Sequence, residues 1–239
     1  MSRVTLFSLL SCLFFAGCYL PRSTPLAATN CHSGVATARF NVQGRASGFD
    51  EISGACGSFL YGMTDSIGVN LNLLYEEARH EENGTVSRYS EFATTLDLVL
   101  ELVGGEKVTP EGAREKESFS LAFYLGFGPV RQSWRGEFFT DEDVRYRGTA
   151  FSAHTGFQAE APFTRLLWSE FYFDLYTSES LGFFGIPFWT IGTNICFKPS
   201  PTDDELPAIF AGVSFSNVGE TVLEENWIAA VGLIWTFGG

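Results

Sequence analysis

The sequence predicts an all-β protein: a closed, antiparallel, up-and-down transmembrane β-barrel of about ten strands, with eight strands as the alternative count. From residue 35 onward, apolar residues alternate with small or polar ones, a period of two that is typical of strands with two different faces. The alternating segments reach about 10 to 13 residues, whereas strands of globular sheets usually have about five or six. Strands of this length suit a tilted bilayer crossing.

The composition agrees with this fold better than with a soluble domain. Of 239 residues, 24 are Phe and 18% are charged, below the roughly 25% that is usual in soluble domains. The formal net charge is −13, and the Lys and Arg residues form no run. We therefore expect no nucleic-acid partner, because binding to phosphates needs a basic face. The hydrophobic content of 45% argues against a disordered chain.

The N-terminus has the pattern of an export signal. Arg3 precedes an apolar run from Val4 to Ala16, and the small residue Gly17 follows. The run has 13 residues, fewer than the roughly 20 needed for a membrane-spanning helix. A cleaved signal peptide over residues 1–17 is therefore the better interpretation.

The site of cleavage decides whether the mature protein carries a lipid. Phe15-Ala16-Gly17-Cys18 resembles the lipobox of bacterial lipoproteins, in which the Cys is diacylated and becomes the mature N-terminus. This resemblance implies a lipid anchor at Cys18 in a bacterial protein. The alternative is an ordinary signal peptide cut after Leu26-Ala27-Ala28, with Cys18 discarded. The expected organisation is a signal peptide at 1–17, an N-terminal linker at 18–34 and a barrel at 35–239.

The first five predicted strands cover residues 36–42, 53–63, 67–75, 92–102 and 119–127. The second of these has the weakest alternation. Their apolar faces consist of Ala36, Ala38, Phe40 and Val42; Ala55, Gly57, Phe59 and Tyr61; Ile67, Val69, Leu71, Leu73 and Tyr75; Phe92, Thr94, Leu96, Leu98, Leu100 and Leu102; and Phe119, Leu121, Phe123, Leu125 and Phe127.

The last five predicted strands cover residues 151–161, 171–176, 189–197, 209–215 and 227–237. Their apolar faces consist of Phe151, Ala153, Thr155, Phe157, Ala159 and Ala161; Phe171, Phe173 and Leu175; Trp189, Ile191, Thr193, Ile195 and Phe197; Ile209, Ala211, Val213 and Phe215; and Trp227, Ala229, Val231, Leu233, Trp235 and Phe237. None of these positions is charged, as expected for a face that contacts lipid.

The connections between the strands should alternate between the two sides of the membrane. With the N-terminus in the periplasm, short turns near 63–66 and 162–164 lie inside, and a polar hairpin at 80–84 turns outside. Residues 130–147, a long charged loop with four Arg, and the loops at 178–185 and 218–226 should face outward. Residues 104–116 are long for an inner connection. Either a strand is miscounted or the barrel has one large inner turn.

The end of the chain carries a short family resemblance. Gly232, Trp235 and Phe237 fit the pattern Gly-x-x-aromatic-x-aromatic, which resembles the C-terminal signature of Gram-negative outer-membrane β-barrels. The resemblance implies location in the bacterial cell outer membrane, recognition by the barrel-assembly machinery, and outer-membrane lipids as partners. A small-molecule or protein ligand stays unknown.

The faces opposite the apolar ones should line the barrel interior. They contain a polar cluster of Arg39, Asp97, Glu101, His154, Glu160 and Asp174. One hypothesis is a narrow, porin-like lumen whose excess of acids favours cations. The other is a closed interior of salt-bridged and hydrogen-bonded side chains.

An enzymatic alternative comes from Ser152, His154 and Glu160, which share one predicted face and include a nucleophile and a base. Residues two apart on a strand are about 7 Å from each other, too far for a direct Ser–His hydrogen bond without help from the side chains. The order Ser-x-His at residues 152–154 also differs from the His-x-Ser motif of barrel lipid A deacylases. We expect no catalytic residues.

No cofactor or metal site is expected. His32 and His80 have no ligand partners at metal spacing, and the acidic run at 203–205 lacks the spaced oxygens of a Ca²⁺ loop. Beyond the signal region and Cys18, the chain has Cys31, Cys56 and Cys196, enough for at most one intrachain disulfide.

The sequence therefore predicts a non-enzymatic outer-membrane β-barrel, lipid-anchored at Cys18, that is a structural or surface-interaction protein or a narrow cation-favouring channel. The first alternative is a barrel hydrolase acting on lipid or peptide through Ser152 and His154. The second is a soluble, lipocalin-like binding protein with its apolar face turned inward.

Overall fold

The computed structural model describes most of the chain from residue 25 onward. The described residues are 25–46, 50–82, 85–104, 106–108, 114–116, 118–136, 144–180, 183–184, 188–200, 206–216 and 227–237. No helix among them is long and apolar enough to cross a membrane.

Ten long strands build the molecule. In chain order they are β1 Ala36–Ala46, β2 Asp50–Gly62, β3 Ile67–Glu82, β4 Thr85–Val103, β5 Ser120–Gly136, β6 Val144–Pro162, β7 Leu167–Ser180, β8 Phe188–Phe197, β9 Ala208–Ser216 and β10 Trp227–Phe237. All ten predicted strands are present, so the count of ten is confirmed and the count of eight is wrong.

The strands form one closed ring. Each strand pairs antiparallel with the next in the sequence, and β10 pairs with β1 from Ala36 opposite Phe237 to Gly44 opposite Ala229. The ring leaves no open edge, so its strand N–H and C=O groups find partners within the sheet. Because lipid offers no hydrogen bonds, closure is what allows a sheet to cross a membrane.

The two ends of the barrel have different connections between strands. Residue 35 and Phe237 lie at one end, the terminal rim, with the four-residue turns 63–66 and 163–166. The connection from β4 to β5 also lies there, and it contains a small hairpin in which Glu106–Val108 pairs with Arg114–Lys116. The unusual length of residues 104–116 therefore reflects one large turn and not a miscounted strand.

Strands β3 to β6 continue well beyond the apolar band towards the opposite end, the loop rim. Residues 130–147, expected to form a loop, belong largely to β5 and β6, which pair as far as Gly136 opposite Val144. That expectation was wrong because strands can stay paired outside the hydrocarbon region, where charged side chains contact water. Projection beyond the band at this rim fits the rule that the extracellular side of a barrel is the larger one.

The two faces of the sheet are inverted relative to a soluble protein. Large apolar residues on the predicted apolar faces are about half exposed, including Phe40, Leu71, Leu96, Phe127, Ile191 and Val231. Polar residues on the opposite face, such as Asn70, Gln158 and Thr190, are buried. The soluble alternative requires the apolar face inside, and the structure places it outside. A closed sheet with this surface is a transmembrane barrel.

A charge on the apolar surface tests this assignment. Leu96 lies near the middle of the apolar band and is 50% exposed, so Leu96→Arg would place a guanidinium in hydrocarbon and cost about 2–4 kcal/mol. Leu206, 44% exposed in the connection between β8 and β9, is the matched control, and Leu206→Arg should change stability by less than about 1 kcal/mol. Reversible denaturant unfolding in lipid vesicles measures both. Equal losses would contradict lipid contact at Leu96.

Candidate functional site in the barrel lumen

The first described residues of the chain lie inside the barrel. Leu26, Ala27, Thr29 and Cys31 are at most 1% exposed. The chain leaves the lumen at the terminal rim through a turn at Gly34, whose φ of 77° is a left-handed conformation that favours glycine. Residues 18–34 were predicted to be a linker, and residues 25–31, here called the plug, fill the barrel lumen near the terminal rim.

Hydrogen bonds from the barrel wall hold the plug through its backbone. The Thr29 N–H donates to Glu160 Oε1 at 3.1 Å, and the Cys31 N–H donates to Glu101 Oε2 at 2.6 Å. Two of the predicted lumen acids therefore bind the protein's own peptide groups, which satisfies carboxylates that would otherwise be costly to bury.

The wall also donates hydrogen bonds to the plug. Arg39 Nη1 donates to the Leu26 carbonyl oxygen at 3.2 Å, and Asn70 Nδ2 donates to the Pro25 carbonyl oxygen at 3.3 Å. The backbone of the plug thus makes hydrogen bonds with strands β1, β3, β4 and β6. Contacts on so many sides fix its position in the lumen.

An apolar cluster completes the seal. Its members come from the plug and from strands β2, β4 and β5: Leu26, Ala27, Cys31, Leu60, Val99, Ala122 and Tyr124. Burial raises the pKa of the Cys31 thiol to about 12, and the neighbouring Glu101 carboxylate adds to the effect. Cys31 is therefore protonated and unreactive while the plug is in place.

Beyond the plug, His154 bridges two carboxylates. Its Nε2 lies 2.8 Å from Asp97 Oδ1 and its Nδ1 lies 3.1 Å from Asp174 Oδ1. All three side chains are at most 1% exposed. Ionised carboxylates only accept hydrogen bonds, so this arrangement is satisfied when both ring nitrogens carry protons and His154 is an imidazolium.

Neighbouring polar groups stabilise the carboxylates of this Asp97–His154–Asp174 bridge. Asn70 Nδ2 donates to Asp97 Oδ2 at 2.9 Å, and Asn72 Nδ2 donates to the same oxygen at 2.5 Å. The Tyr124 hydroxyl donates to Asp174 Oδ1 at 3.0 Å. The bridge therefore joins β3, β4, β5, β6 and β7 across the lumen.

The bridge requires a glycine on β5. Gly126 faces the lumen between β4 and β6, opposite Asp97 and His154 in the strand register. A Cβ at this position would overlap the Asp97 carboxylate and crowd the His154 ring. Glycine here is thus a consequence of the close approach of the two charged side chains.

A second ion pair joins β1 and β7 across the lumen. Arg39 donates through Nη2 to both oxygens of Glu170 at 2.5 Å, and Asn194 Nδ2 donates to Glu170 Oε2 at 3.0 Å. The guanidinium also lies over the Phe210 ring, 4.4 Å from its centroid. Gly232 leaves space for that ring, since a Cβ there would contact Phe210.

Glu170 shows where the sequence prediction stopped short. The structure places all six predicted cluster residues on the lumen side, but the partner of Arg39 is an acid that the prediction omitted. Glu76 and Glu91 are buried in the lumen as well and were also missed. Each lies one position outside a predicted strand, so extending the alternation by one or two residues would have found all three.

Glu76 and Glu91 occupy the part of the lumen nearer the loop rim. They lie opposite each other on β3 and β4, and glutamine side chains of β1 and β5 donate hydrogen bonds to them. Gln43 donates to Glu76, and Gln132 Nε2 donates to Glu91 Oε2 at 3.1 Å. Below them lies an apolar cluster of Cys56, Leu74, Ala93, Val130 and Tyr176.

The structure does not give Ser152 a base. Its hydroxyl donates to the Gly128 carbonyl oxygen at 2.9 Å, while both nitrogens of His154 face carboxylates. Glu160 binds the plug instead of orienting His154. The three residues of the hydrolase hypothesis therefore have separate partners.

The remaining predicted residues divide between the last strand and the signal region. Trp235 and Phe237 are on the outer face of β10, and Gly232 is on its inner face. Cys18 and the signal peptide lie outside the described residues. Cys31, Cys56 and Cys196 are buried thiols that form no disulfide, and the described residues contain no group of three or more His, Cys, Asp or Glu placed to hold a metal ion.

Comparisons with known proteins give similarities of structure. No protein-family model matches the chain, and no curated protein is significantly similar in sequence. The β domain of the Bordetella autotransporter BrkA is 11% identical, with 84% of this chain and 98% of that chain covered and a TM-score of 0.47. OprG from Pseudomonas aeruginosa is 12% identical, with 88% and 99% covered and a TM-score of 0.40. The outer-membrane protease OmpT from Escherichia coli is 10% identical, with 85% and 94% covered and a TM-score of 0.40.

The location follows from the ring and its surface. A closed antiparallel ring with an even number of strands, an apolar outer band and a polar interior is the architecture of bacterial outer-membrane barrels. The protein lies in the outer membrane. The barrel lumen is filled by the plug, the Asp97–His154–Asp174 bridge and the Arg39–Glu170 pair.

The bridge should be a major contributor to stability. His154→Gln removes the cation between two buried carboxylates, which should cost about 3–5 kcal/mol in unfolding free energy. Ser152→Ala is the matched control on the same face of β6, and it should cost about 1 kcal/mol because one neutral hydrogen bond is lost. Denaturant unfolding in vesicles measures both variants.

The triple variant His154→Gln with Asp97→Asn and Asp174→Asn tests the cause of that loss. Because it removes both carboxylate charges together with the cation, it should recover at least half of the stability lost in His154→Gln. A loss for His154→Gln no greater than that for Ser152→Ala would contradict the assignment of a charged bridge.

Proposed function

We propose that this protein is a non-enzymatic, lipid-anchored outer-membrane barrel with a lumen closed by its own N-terminal segment, acting as a structural or surface-interaction protein. The observation that carries the proposal is the plug. Its backbone is bonded to Glu101, Glu160, Arg39 and Asn70, and its side chains join an apolar cluster of the wall.

The state of the lumen favours this function over a cation-favouring channel. The described acids of the interior are occupied by hydrogen-bond donors, and conduction would require a continuous watery path. Asp97, Asp174 and Glu170 are engaged by His154 and Arg39, and each is about 1% exposed. A cation entering from either end would have to displace these internal partners.

The same contacts favour a role without catalysis. A nucleophilic serine needs a base that can take its proton, and the Ser152 hydroxyl is bonded to a main-chain carbonyl. Proteolysis or lipid hydrolysis through Ser152 and His154 would require both side chains to change partners. The final strand, with its Gly232, Trp235 and Phe237 signature, supports handling by the barrel-assembly machinery.

The position of the plug supports a lipid anchor at Cys18. Cleavage after Ala28 would remove Pro25 and Leu26, whose carbonyls are bonded by the wall, whereas cleavage before Cys18 retains them. Pro25 follows Cys18 by seven positions, a reach of at most about 25 Å. An anchor in the membrane at the terminal rim would therefore hold the plug close to its site.

The closed lumen is tested by conductance together with thiol reactivity. The full protein in planar bilayers should give no stepwise current in 1 M KCl. In the folded protein, Cys31 should resist alkylation by iodoacetamide at pH 8. Thiol alkylation needs the thiolate, and burial with a pKa of about 12 suppresses it.

Thr29→Pro removes the N–H that binds Glu160 and should raise the rate of Cys31 alkylation at least tenfold, as measured by peptide mass spectrometry. The matched control Thr29→Ser keeps both the N–H and the hydroxyl and should behave as the original chain. Cation-selective current from the unaltered protein would contradict the closed lumen and favour the channel.

The anchor is tested by metabolic labelling with a palmitate analogue in a Gram-negative host. The mature protein should be labelled and should begin at Cys18, and Cys18→Ser should lose the label because no thiol remains to be acylated. Cys31→Ser is the control and should keep the label. If mass spectrometry shows that the mature protein begins at Thr29, both the anchor and the plug are overturned.

A further inference from the structure

The outer wall near the loop rim carries a regular array of basic and hydroxyl side chains. It is formed by the outward positions of β4, β5 and β6 just beyond the apolar band. Its members are Arg88 and Ser90 on β4, Arg131, Ser133 and Arg135 on β5, and Arg147 and Thr149 on β6. We call this set the arginine grid.

The strand register aligns the grid in rows. Arg131 is opposite Phe92 on one side and Thr149 on the other. One step further out, Ser133 is opposite Ser90 and Arg147. Neighbouring strands are about 4.8 Å apart and successive outward residues about 7 Å apart, so the grid covers a patch roughly 10 Å wide and 14 Å tall.

The outermost row places like charges directly opposite each other. Arg135 is opposite Arg88 and also occupies the register position opposite Arg145. Like charges at opposed positions of two strands destabilise the pair. An anion bound between them would convert this repulsion into attraction.

Among the described residues, no acid is ion-paired with these arginines; Glu77 on β3 lies opposite Ser90 on the outer face and accepts a hydrogen bond from the Tyr75 hydroxyl. Arg88, Arg131, Arg135 and Arg147 are exposed, and no described ion pair involves them. The positions of the grid contain no Asp or Glu. On the adjacent wall, Glu51 faces Arg79 at 3.8 Å. The whole chain has a net charge of −13, so a patch with four arginines has the opposite charge to the molecule as a whole.

The height of the grid on the barrel identifies the anion. Its lowest row contains Phe92, and Phe151 lies one outward position below Thr149, with its ring centroid 6.0 Å from that of Phe127 in the apolar band. Aromatic residues mark the boundary between hydrocarbon and headgroups. The grid therefore stands at headgroup level, and with the termini in the periplasm it faces the outer leaflet.

Arginine and hydroxyl groups together match phosphate. The planar guanidinium donates two parallel hydrogen bonds to phosphate oxygens, and Ser90, Ser133 and Thr149 add further donors. We propose that the arginine grid binds the phosphate groups of a phosphorylated lipid of the outer leaflet. The site is on the outside of the wall and does not depend on the state of the lumen.

Binding of lipid A tests the proposal. The full protein in phosphatidylcholine nanodiscs should bind lipid A with two phosphates at least tenfold more tightly than lipid A without phosphates. The double variant Arg131→Gln with Arg147→Gln should lose that difference. The matched control, Arg165→Gln with Lys198→Gln, removes the same charge at the terminal rim and should bind as the original chain.

Two further measurements keep the outcome decisive. Heat-modifiable gel migration shows whether each variant is folded, and if the Gln variant is not, Arg131→Lys with Arg147→Lys keeps the charge and should still weaken binding several-fold by losing the paired hydrogen bonds. Equal affinity of the grid variant and the original chain for diphosphorylated lipid A would overturn the proposal.

Competition separates the possible sources of the anion. Millimolar inorganic phosphate should displace little lipid A, because the acyl chains contribute to lipid binding. Complete displacement would assign the site to free phosphate, and tighter binding of a poly-glutamate peptide than of lipid A would assign it to an acidic protein. Either result would overturn the lipid assignment.

Discussion

The structure depends on one constraint: within lipid, every backbone N–H and C=O must find a partner inside the protein. Pairing of β10 with β1 over nine residue pairs, from Ala36 to Gly44, closes the ring and meets that constraint. Closure also divides each strand into a lipid face and a lumen face. The alternation of Phe and Leu with Asn, Gln and acids is therefore a direct consequence of the backbone's requirement.

A ring of ten strands encloses a space that side chains and a short segment can fill, and this sets the second requirement. Polar groups that face a narrow interior have little water available, so they must satisfy each other. Seven described acids lie on the lumen side: Glu76, Glu91, Asp97, Glu101, Glu160, Glu170 and Asp174. Two are bonded to backbone N–H groups of the plug, two to glutamine side chains, and three to His154 or Arg39. The plug is thus part of the solution to an acidic interior.

The sequence could predict the ring because its signal is local. Each strand repeats the same two-residue alternation, so the lipid face could be assigned strand by strand, and all ten assignments agree with the structure. Strand ends were less accurate, since β3 to β6 extend past the membrane, where both faces become polar and the alternation disappears. Glu76, Glu91 and Glu170 were missed because each lies one position beyond the end of a predicted strand. The plug had a weaker signal, namely a stretch of small and uncharged residues from Pro25 to Cys31, and its partners come from four distant strands.

The inner and outer surfaces treat charge in opposite ways, and the reason is solvent. In the lumen, charges occur as bridged sets because an isolated buried charge would be too costly. On the outer wall beyond the apolar band, Arg88 and Arg135 can stand opposite each other because water and salt screen them. Such screening weakens the repulsion between the arginines. It does not stabilise the alignment of four arginines and three hydroxyls in adjacent rows. A structural role alone leaves that alignment unexplained, whereas an anion at headgroup level accounts for the charge, the hydroxyls and the height together.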